Sequence, residues 1–428
     1  MKKVIMSSVV GLGALALLAP HAEAKPRIYF GNGKWVELFQ MVQVWNVYTI
    51  TNDSFDVDMD ARSDVYIRRG RIGFKGKIRK DMKFKVWFAY DNLGKNEATA
   101  GTGGPNTTGG TVEGAGTENR EFYIWDAIWT WTLDPEWANI SVGYFRPQVG
   151  KESITTAFKV ISFQKALTNF TPRKHIVGRG PGRETGINIG GLALNKKLNF
   201  NIGIFDTNHK KIIGNKKQGT HFDPGDGNGD GAEVVGGKGK SGVGDGKKWS
   251  PLIAVRVAWS FGDPEHKKYK MGYTQTYYGK RKGLTIGLNY TYQGETDVFK
   301  QNNLYSIDIL ANYGPFDFNA EYDWLYRDVG GTVGSGTDKV WSVKAGYNFF
   351  LKDKQILRPA VMVSKEEPND SNNDYKSDTG VSVKKELYEI SLNWLINKDK
   401  LKLNISYDWG KVKNKDFSYI GMGLQLIY

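Results

Sequence analysis

The sequence predicts an all-β fold, a closed transmembrane antiparallel β-barrel of about sixteen strands. The first observation is the alternation in residues 417–428, a period of two that is typical of a strand with two different faces. Its larger apolar side chains share one face: Ile420, Met422, Leu424, Leu426 and Tyr428. The second is an aromatic content of 13%, which favours strands and aromatic belts at membrane interfaces. The third is that similar segments recur along the chain between connections of alternating length.

The N-terminal residues 1–24 predict a secretory signal peptide. A basic start and the apolar run Val4–Leu18 precede the small-x-small pattern Ala22-Glu23-Ala24, so the barrel domain is expected to span 25–428. No other long apolar run follows, and the mean hydropathy is −0.47. This excludes a membrane protein built of helices, whereas the polar interior of a barrel produces such an average.

Sixteen alternating segments form the predicted strands: 35–49, 62–78, 82–92, 119–132, 137–147, 183–194, 198–207, 250–261, 283–294, 303–313, 316–327, 339–350, 355–366, 382–396, 400–410 and 417–428. Short turns alternate with long connections, as expected for periplasmic turns and outer loops. The predicted long connections are 93–118, 148–182, 208–249, 328–338 and 367–381. The strand 417–428 is expected to close the barrel against 35–49, because no strand edge can stay unpaired in lipid.

The strand count depends on residues 267–280. They also alternate, but counting them as a strand gives an odd number, whereas both chain ends are expected on the periplasmic side. We therefore place 263–282 in an extended periplasmic connection. The alternative is an eighteen-stranded barrel that uses 267–280 and a further strand within 208–248.

Charge and composition limit the function. The formal net charge of +14 predicts an anionic partner or solute, and the signal peptide argues against nucleic acid. Cysteine is absent, which excludes disulfides and thiolate metal sites. A barrel enzyme, the alternative class, would need Ser, His and an orienting group together. The histidines after the signal peptide are scattered over connections, so we predict no enzyme and no cofactor.

The hairpin 62–92 contains the clearest functional pattern. If Phe74 and Phe84 face lipid, six cations project into the lumen: Arg69, Arg71, Lys75, Lys77, Lys83 and Lys85. Such a ladder would hold anions at several weak sites, as conduction requires. The alternative is a basic wall whose charges pair with lumen acids such as Asp91, Asp126 and Glu321. Arg68 falls on the lipid-facing side of the alternation.

The connection 148–182 is too long for a turn and combines apolar with basic residues. It predicts a third loop that folds into the barrel, buries Phe158 and Phe163 against the wall, and narrows the pore with its cations. These candidate constriction residues are Lys159, Lys165, Arg173, Lys174 and Arg179, with Arg183 at the next strand. The alternative is an outer loop packed on its neighbours.

A weak calcium candidate lies in the Gly/Asp-rich segment 223–233. Asp226, Asn228 and Asp230 match the first three ligand positions of a calcium loop, but the bidentate Glu is missing. A flexible acidic loop is the favoured interpretation, so no metal site is predicted.

Several short motifs together resemble the phosphate-selective porin O/P family of bacterial outer-membrane porins. The resemblance lies in Ile67–Gly76, Trp87–Asp91, Val142–Pro147, Gly203–Asp206, Tyr313–Asp317, Leu392–Ile396 and Leu424–Leu426. It implies a sixteen-stranded, usually trimeric barrel whose inward third loop and basic residues select anions. Arg69, Arg71, Lys75 and Lys77 are the positions carried over. The chain departs from the family in its Gly/Asp-rich loop 208–248.

These features predict an outer-membrane porin that passes small anions such as phosphate by diffusion. The expected partners are outer-membrane lipid and lipopolysaccharide, small anionic solutes and two further copies in a homotrimer. The alternatives are a general, non-specific porin and a structural or adhesive barrel whose lumen 148–182 seals.

Overall fold

The computed structural model describes residues 26–53, 61–95, 99, 122–177, 182–207, 221–223, 233–235, 248–296, 298–331 and 333–428. Several predictions lie outside these ranges, namely the signal peptide 1–24, most of the loops 93–118 and 208–249, the cation Arg179, and the calcium candidates Asp226, Asn228 and Asp230.

Sixteen long strands form the barrel, as predicted. They are β1 (Trp35–Asn52), β2 (Arg62–Lys77), β3 (Met82–Ala89), β4 (Tyr123–Asp134), β5 (Ala138–Phe145), β6 (Glu184–Ala193), β7 (Leu198–Asp206), β8 (Leu252–Gly262), β9 (Lys282–Gln293), β10 (Gln301–Tyr313), β11 (Phe316–Gly330), β12 (Gly334–Tyr347), β13 (Ile356–Glu367), β14 (Lys385–Asp399), β15 (Leu401–Val412) and β16 (Lys415–Ile427). Short strands Arg27–Tyr29 and Phe349–Phe350 extend this sheet, and His221–Asp223 pairs with Glu233–Val235 separately.

The sheet is antiparallel throughout and closes on itself. Met41 of β1 lies opposite Ile427 of β16, and the Tyr428 amide donates to the Gln40 carbonyl at 2.8 Å. The predicted partner of the last strand is therefore confirmed. The eighteen-stranded alternative is wrong, because β8 runs directly into β9 through a connection, 263–281, that contributes no strand to the barrel.

The two rims differ in their connections. The start of β1, the C-terminus and tight turns such as 78–81 and 314–315 share one rim, called the turn rim here. Connections such as 146–183 and 368–384 lie at the other, called the loop rim. The prediction of a long loop at 328–338 is wrong, because β11 and β12 continue their ladder past a bulge and leave only 331–333 between them.

The outward face of the barrel is apolar between two aromatic bands. On β10, Tyr305 and Tyr313 are exposed at the two ends, with Ile307 between them. Eight residues of strand span about 26 Å, close to the apolar band of a membrane barrel. Four of the six inward-facing positions on the same strand are polar: Asn302, Ser306, Asp308 and Asn312. The chain therefore has the inside-out polarity that a barrel in lipid requires.

In the part of the chain that the structure describes, helical structure is confined to connections. It comprises α1 (Lys151–Ile154), α2 (Thr171–Val177) and three 3-10 turns at Ala157–Lys159, Leu167–Asn169 and Lys352–Lys354. Among the described residues, no helix is both long enough and apolar enough to cross a membrane.

Candidate functional site: the charged lumen

The segment 146–177, at the loop rim, packs against inward-facing side chains of the barrel. Phe163 stacks on Trp45 of β1 with ring centroids 4.1 Å apart. It also covers Gly421 of β16, where an added Cβ would lie 2.7 Å from the Phe163 ring. The small residues on the inward face of the last strand thus make room for this ring. Phe158 and Phe163 are buried inside the barrel.

Polar contacts fasten this segment to the opposite side of the lumen. Glu152 forms a fully buried ion pair with Lys344 of β12 at 2.7 Å. The backbone amide of Phe163 donates to Glu389 at 2.6 Å, and the Gln164 side chain donates to Asp408 at 2.9 Å. Buried carboxylates are satisfied here by donors of the segment, which holds it in one position.

A second segment, 263–281, enters the lumen from the turn rim. Its Tyr273 carbonyl accepts a hydrogen bond from the Thr156 amide at 3.2 Å, and its Gln275 amide donates to the Lys159 carbonyl at 3.0 Å. Lys151 and Glu265 form a buried ion pair between the two segments. The connection expected to extend on the periplasmic side therefore folds into the lumen and packs against segment 146–177. Its alternating sequence did not indicate this.

The two segments cover the inward faces of β8–β16, which we call the filled wall. Apart from Lys415 at the loop rim, its ionisable side chains are buried: Arg256, Asp308, Asp317, Glu321, Asp323, Arg327, Asp338, Lys344, Arg358, Glu366, Lys385, Glu389, Lys402 and Asp408. Many are paired, as in the ion pair of Arg256 with Asp308. Glu321 accepts from the Glu152 amide at 2.6 Å and lies far from the hairpin cations that it was expected to pair with.

The inward faces of β1–β4, called the basic wall here, are less covered. Lys75 lies directly opposite Lys85, and Lys77 directly opposite Lys83. The Lys75 and Lys85 side chains retain 37% and 25% exposure and pair with Glu37 at 3.0 Å and Asp126 at 2.7 Å. Lys77 and Lys83 form no ion pair with the described part of the chain.

The upper end of the basic wall contains buried arginines. Arg69 donates to Gln43 at 3.0 Å, and Arg71 donates to Asp91 at 2.8 Å. The prediction for Arg68 is wrong: a β-bulge there breaks the alternation, and Arg68 is buried beside Trp45 instead of facing lipid. The alternation pattern assumes an unbroken pleat, so it could not locate this residue.

Trp125 lies between two guanidinium groups. Its ring is 3.7 Å from Arg71 and 3.6 Å from Arg183, which also donates to Asp126 at 3.0 Å. A second bulge, in the pairing of β3 with β4, makes Trp125 an extra residue of β4. Its side chain therefore lies on the same side of the strand as that of Asp126. The stacked ring separates two like charges and holds both guanidinium planes in fixed orientations.

Arg146, directly after β5, was not among the predicted site residues. It is 9% exposed, its Nε has no hydrogen-bond partner, and its side chain pairs with no described residue. Burial, followed by the nearby Arg183 and Arg173 charges, lowers the pKa of Arg146. The only sequence signal was its place in the Val142–Pro147 motif, where a charged residue directly follows a strand.

The predicted constriction cations have different environments. Lys159 and Lys174 retain exposure, whereas Arg173 and Arg183 are buried. Together with Arg71 and Arg146 they form what we call the arginine cluster. Lys165 is buried and donates to the Glu152 and Thr155 carbonyls, so the prediction that it lines the pore is wrong. Lys165 instead supplies hydrogen bonds to backbone carbonyls inside the segment. No group of three or more His, Asp or Glu able to hold a metal occurs in the described ranges.

A closed sixteen-stranded barrel with charged inner walls defines a porin-like fold. No family model and no curated protein matches the chain. Solved structures similar to it include OmpF of Salmonella typhi in complex with daunomycin (11% identity, TM-score 0.53, covering 94% of this chain and 100% of that one). Others are an anion-selective porin from Comamonas acidovorans (12%, 0.52, 92% and 100%) and OprB of Pseudomonas putida (10%, 0.55, 92% and 94%). At these identities the likeness defines the fold.

Proposed function

We propose that the protein is a bacterial outer-membrane porin through which small anions such as phosphate diffuse. The observation that carries the proposal is the pair of like-charged cross-strand contacts, Lys75 with Lys85 and Lys77 with Lys83. Like charges directly opposite in a sheet are destabilising. Lys75 and Lys85 pair with Glu37 and Asp126, whereas Lys77 and Lys83 form no ion pair with a described residue. Water and passing anions therefore offset the charge of that second pair.

The size of the effect is sufficient for selectivity. A cation near one such charge in water-like dielectric is repelled by about 1 kcal/mol at a few ångströms, and an anion is attracted equally. A difference of roughly 1.4 kcal/mol between the two ions is a tenfold preference. Two acids, Glu37 and Asp126, offset part of the charge of the four lysines.

The arginine cluster offers a narrower anion site along the same path. Arg146 forms no ion pair with a described residue, and Arg71 and Arg183 are held in fixed planes by Trp125. Guanidinium groups bind oxyanions through paired hydrogen bonds, which a lysine ammonium cannot match in geometry. This supports phosphate-like oxyanions among the transported solutes.

The test is the reversal potential of single channels in a salt gradient. Lys75, Lys77, Lys83 and Lys85 are changed together to Gln, which should move the potential towards the non-selective value. The matched control removes the same charge from exposed turn-rim positions, Lys34, Lys352, Lys354 and Lys400, and should leave it nearly unchanged.

Other outcomes would identify the alternatives. Equal effects of the two variants, or a cation-selective wild type, would refute the anion proposal and leave a general porin. Higher salt should weaken the preference in the wild type, because mobile ions screen the lysines.

A second candidate is a structural barrel with a sealed lumen. It is favoured by the two segments, 146–177 and 263–281, that meet inside the barrel and bury the filled wall. A sealed barrel would give no steady single-channel current in a planar bilayer, whereas a porin gives stepwise openings.

The outer-membrane location, the cleaved signal peptide and the homotrimer belong to the same proposal. The apolar outward face between aromatic bands supports insertion in a bilayer. Cell fractionation, N-terminal sequencing of the mature chain and its mass in mild detergent test the three parts separately.

A further inference from the structure

A row of inward positions with two aromatic rings crosses the basic wall between its lysines and its arginines. The strand register aligns Phe39 of β1, Gly73 of β2 and Trp87 of β3 in this row. The next inward row toward the turn rim contains the directly opposed pair Lys75 and Lys85. An aromatic pair therefore lies beside two of the lysines on the same face of the sheet.

Phe39 and Trp87 form one aromatic surface across β2. Their ring centroids lie 4.4 Å apart, with the planes tilted by 51°. Gly73 leaves room for this contact, because an added Cβ would lie 3.2 Å from the Phe39 ring and 2.9 Å from the Trp87 Cα. Phe39 is only 2% exposed, whereas Trp87 is partly exposed. Trp87 is therefore the ring of this pair that a solute in the lumen can reach.

Two ammonium groups lie close to the reachable ring. The Lys85 ammonium is 4.7 Å from the centre of the Trp87 ring and pairs with the Asp126 carboxylate at 2.7 Å. Lys75, directly opposite Lys85, pairs with the Glu37 carboxylate at 3.0 Å. Both lysines keep partial exposure, and the flexible stem of a lysine lets its ammonium follow a ligand. Each ammonium thus already binds a carboxylate and can reach a second one beside the ring.

Inorganic anions account for the cations of this wall but not for an aromatic ring among them. A hydrated inorganic ion has no apolar surface to place against an indole, whereas a planar apolar ring that stacks there leaves water. We propose that the basic wall binds aromatic carboxylates, with the ring of the solute stacked on Trp87 and its carboxylate held by Lys85 and Lys75. This rests on the proposed passage of small anions, and it adds a class of solute that combines a planar ring with a negative charge.

The test is block of the chloride current through single channels of the full-length barrel in a planar bilayer. The probes are benzoate, acetate as the carboxylate without a ring, and benzyl alcohol as the ring without a charge. Benzoate should reach half-block at a concentration about tenfold lower than acetate, the effect of one good stacking contact. Benzyl alcohol should block about tenfold more weakly than benzoate, because it lacks the charge-assisted hydrogen bonds.

The variants act on the preference for benzoate over acetate, measured as the ratio of the two half-blocking concentrations. Trp87→Leu should reduce this ratio below about twofold, because the stacking contact is lost. Trp87→Phe keeps a smaller ring at the same position, guards against a failure of the Leu variant to assemble, and should give an intermediate ratio. The matched control Trp129→Leu removes an indole from the exposed outward face of β4 and should keep the wild-type ratio.

The other outcomes separate this site from the proposed function. An anion-selective wild type that is blocked equally by benzoate and acetate would overturn the site and leave the anion pore intact. A ratio that survives in Trp87→Leu, or that falls equally in Trp129→Leu, would show that Trp87 only packs against Phe39. Equal block by cyclohexanecarboxylate would overturn the aromatic class of the ligand. A wild type without steady current would refute the pore and this site together.

Discussion

The basic wall and the filled wall are two parts of one inward surface that differ in solvent exposure. Both alternate polar with apolar residues, and both are rich in charge. On β2 and β3, Lys75 and Lys85 stay partly exposed and face each other. On β10 and β11, Asp308 and Glu321 also face each other, but they are buried under segment 146–177 and its neighbours.

The difference shows that alternation assigns a side chain to the lumen but does not decide whether water reaches it. Charges on the filled wall act as anchors, because desolvated carboxylates need donors and the inserted segments supply them. Charges on the basic wall remain available to mobile ions. One half of the interior of such a barrel can therefore be packed as structure while the other half stays partly exposed.

The largest expected effect is on the buried ion pair of the filled wall. Glu152→Gln leaves the Lys344 charge buried without its partner, which costs about 3–5 kcal/mol. The free energy of unfolding in urea, followed by tryptophan fluorescence, measures this loss.

The matched control for that variant is Glu386→Gln. Glu386 pairs with Lys365 at 3.4 Å on the half-exposed outward face, where an ion pair contributes below about 1 kcal/mol. Equal losses in the two variants would remove the distinction between anchoring and available charges.

An intermediate effect is expected where the inserted segment meets the last strand. Gly421→Val places methyl groups into the Phe163 ring, and overpacking of this kind costs about 1–3 kcal/mol. In a Phe163→Ala background the same change should cost less, because the ring is gone. Ala345→Val, on the outward face, is the control.

The smaller loss in that background is measured as a coupling free energy in a double-mutant cycle. Additive effects of Gly421→Val and Phe163→Ala would mean that the ring does not press on the strand, contrary to the packing described above. Single-channel conductance of Gly421→Val would also rise if the displaced segment narrows the pore.

The smallest effect concerns pH and the segment 263–281. Burial, followed by Lys270, Lys151 and other nearby cations, lowers the pKa of His266 well below its usual 6.5. Below about pH 6.5 His266 therefore binds a proton in the unfolded chain but not in the folded one. The free energy of unfolding falls as the pH drops below that value. The slope is at most about 1.4 kcal/mol per pH unit for this one group.

Thermal unfolding at pH 7.5 and pH 5.5 measures that slope, with His266→Phe as the variant that should flatten it. His266 packs against the Tyr273 ring at 4.7 Å between centroids, so Phe retains most of the contact. An unchanged slope in His266→Phe would place the pH dependence on other groups.

The strand pattern was predictable from the sequence because side-chain alternation is a local property. Each strand carries its own period of two, and the expectation that both chain ends lie on one side of the membrane determined an even count. The need to leave no edge in lipid determined the pairing of β16 with β1. The inward direction of Lys75, Lys77, Lys83 and Lys85 followed from the same rule.

Only the tertiary structure decided where that rule breaks and which charges stay accessible. The bulges at Arg68 and Trp125 depend on pairing between strands, so no single strand reveals them. The burial of Lys165, the entry of 263–281 into the lumen and the exposed state of the basic wall depend on contacts between distant segments. Alternation can be read from each strand alone, whereas the solvent exposure of a side chain depends on every segment that packs around it.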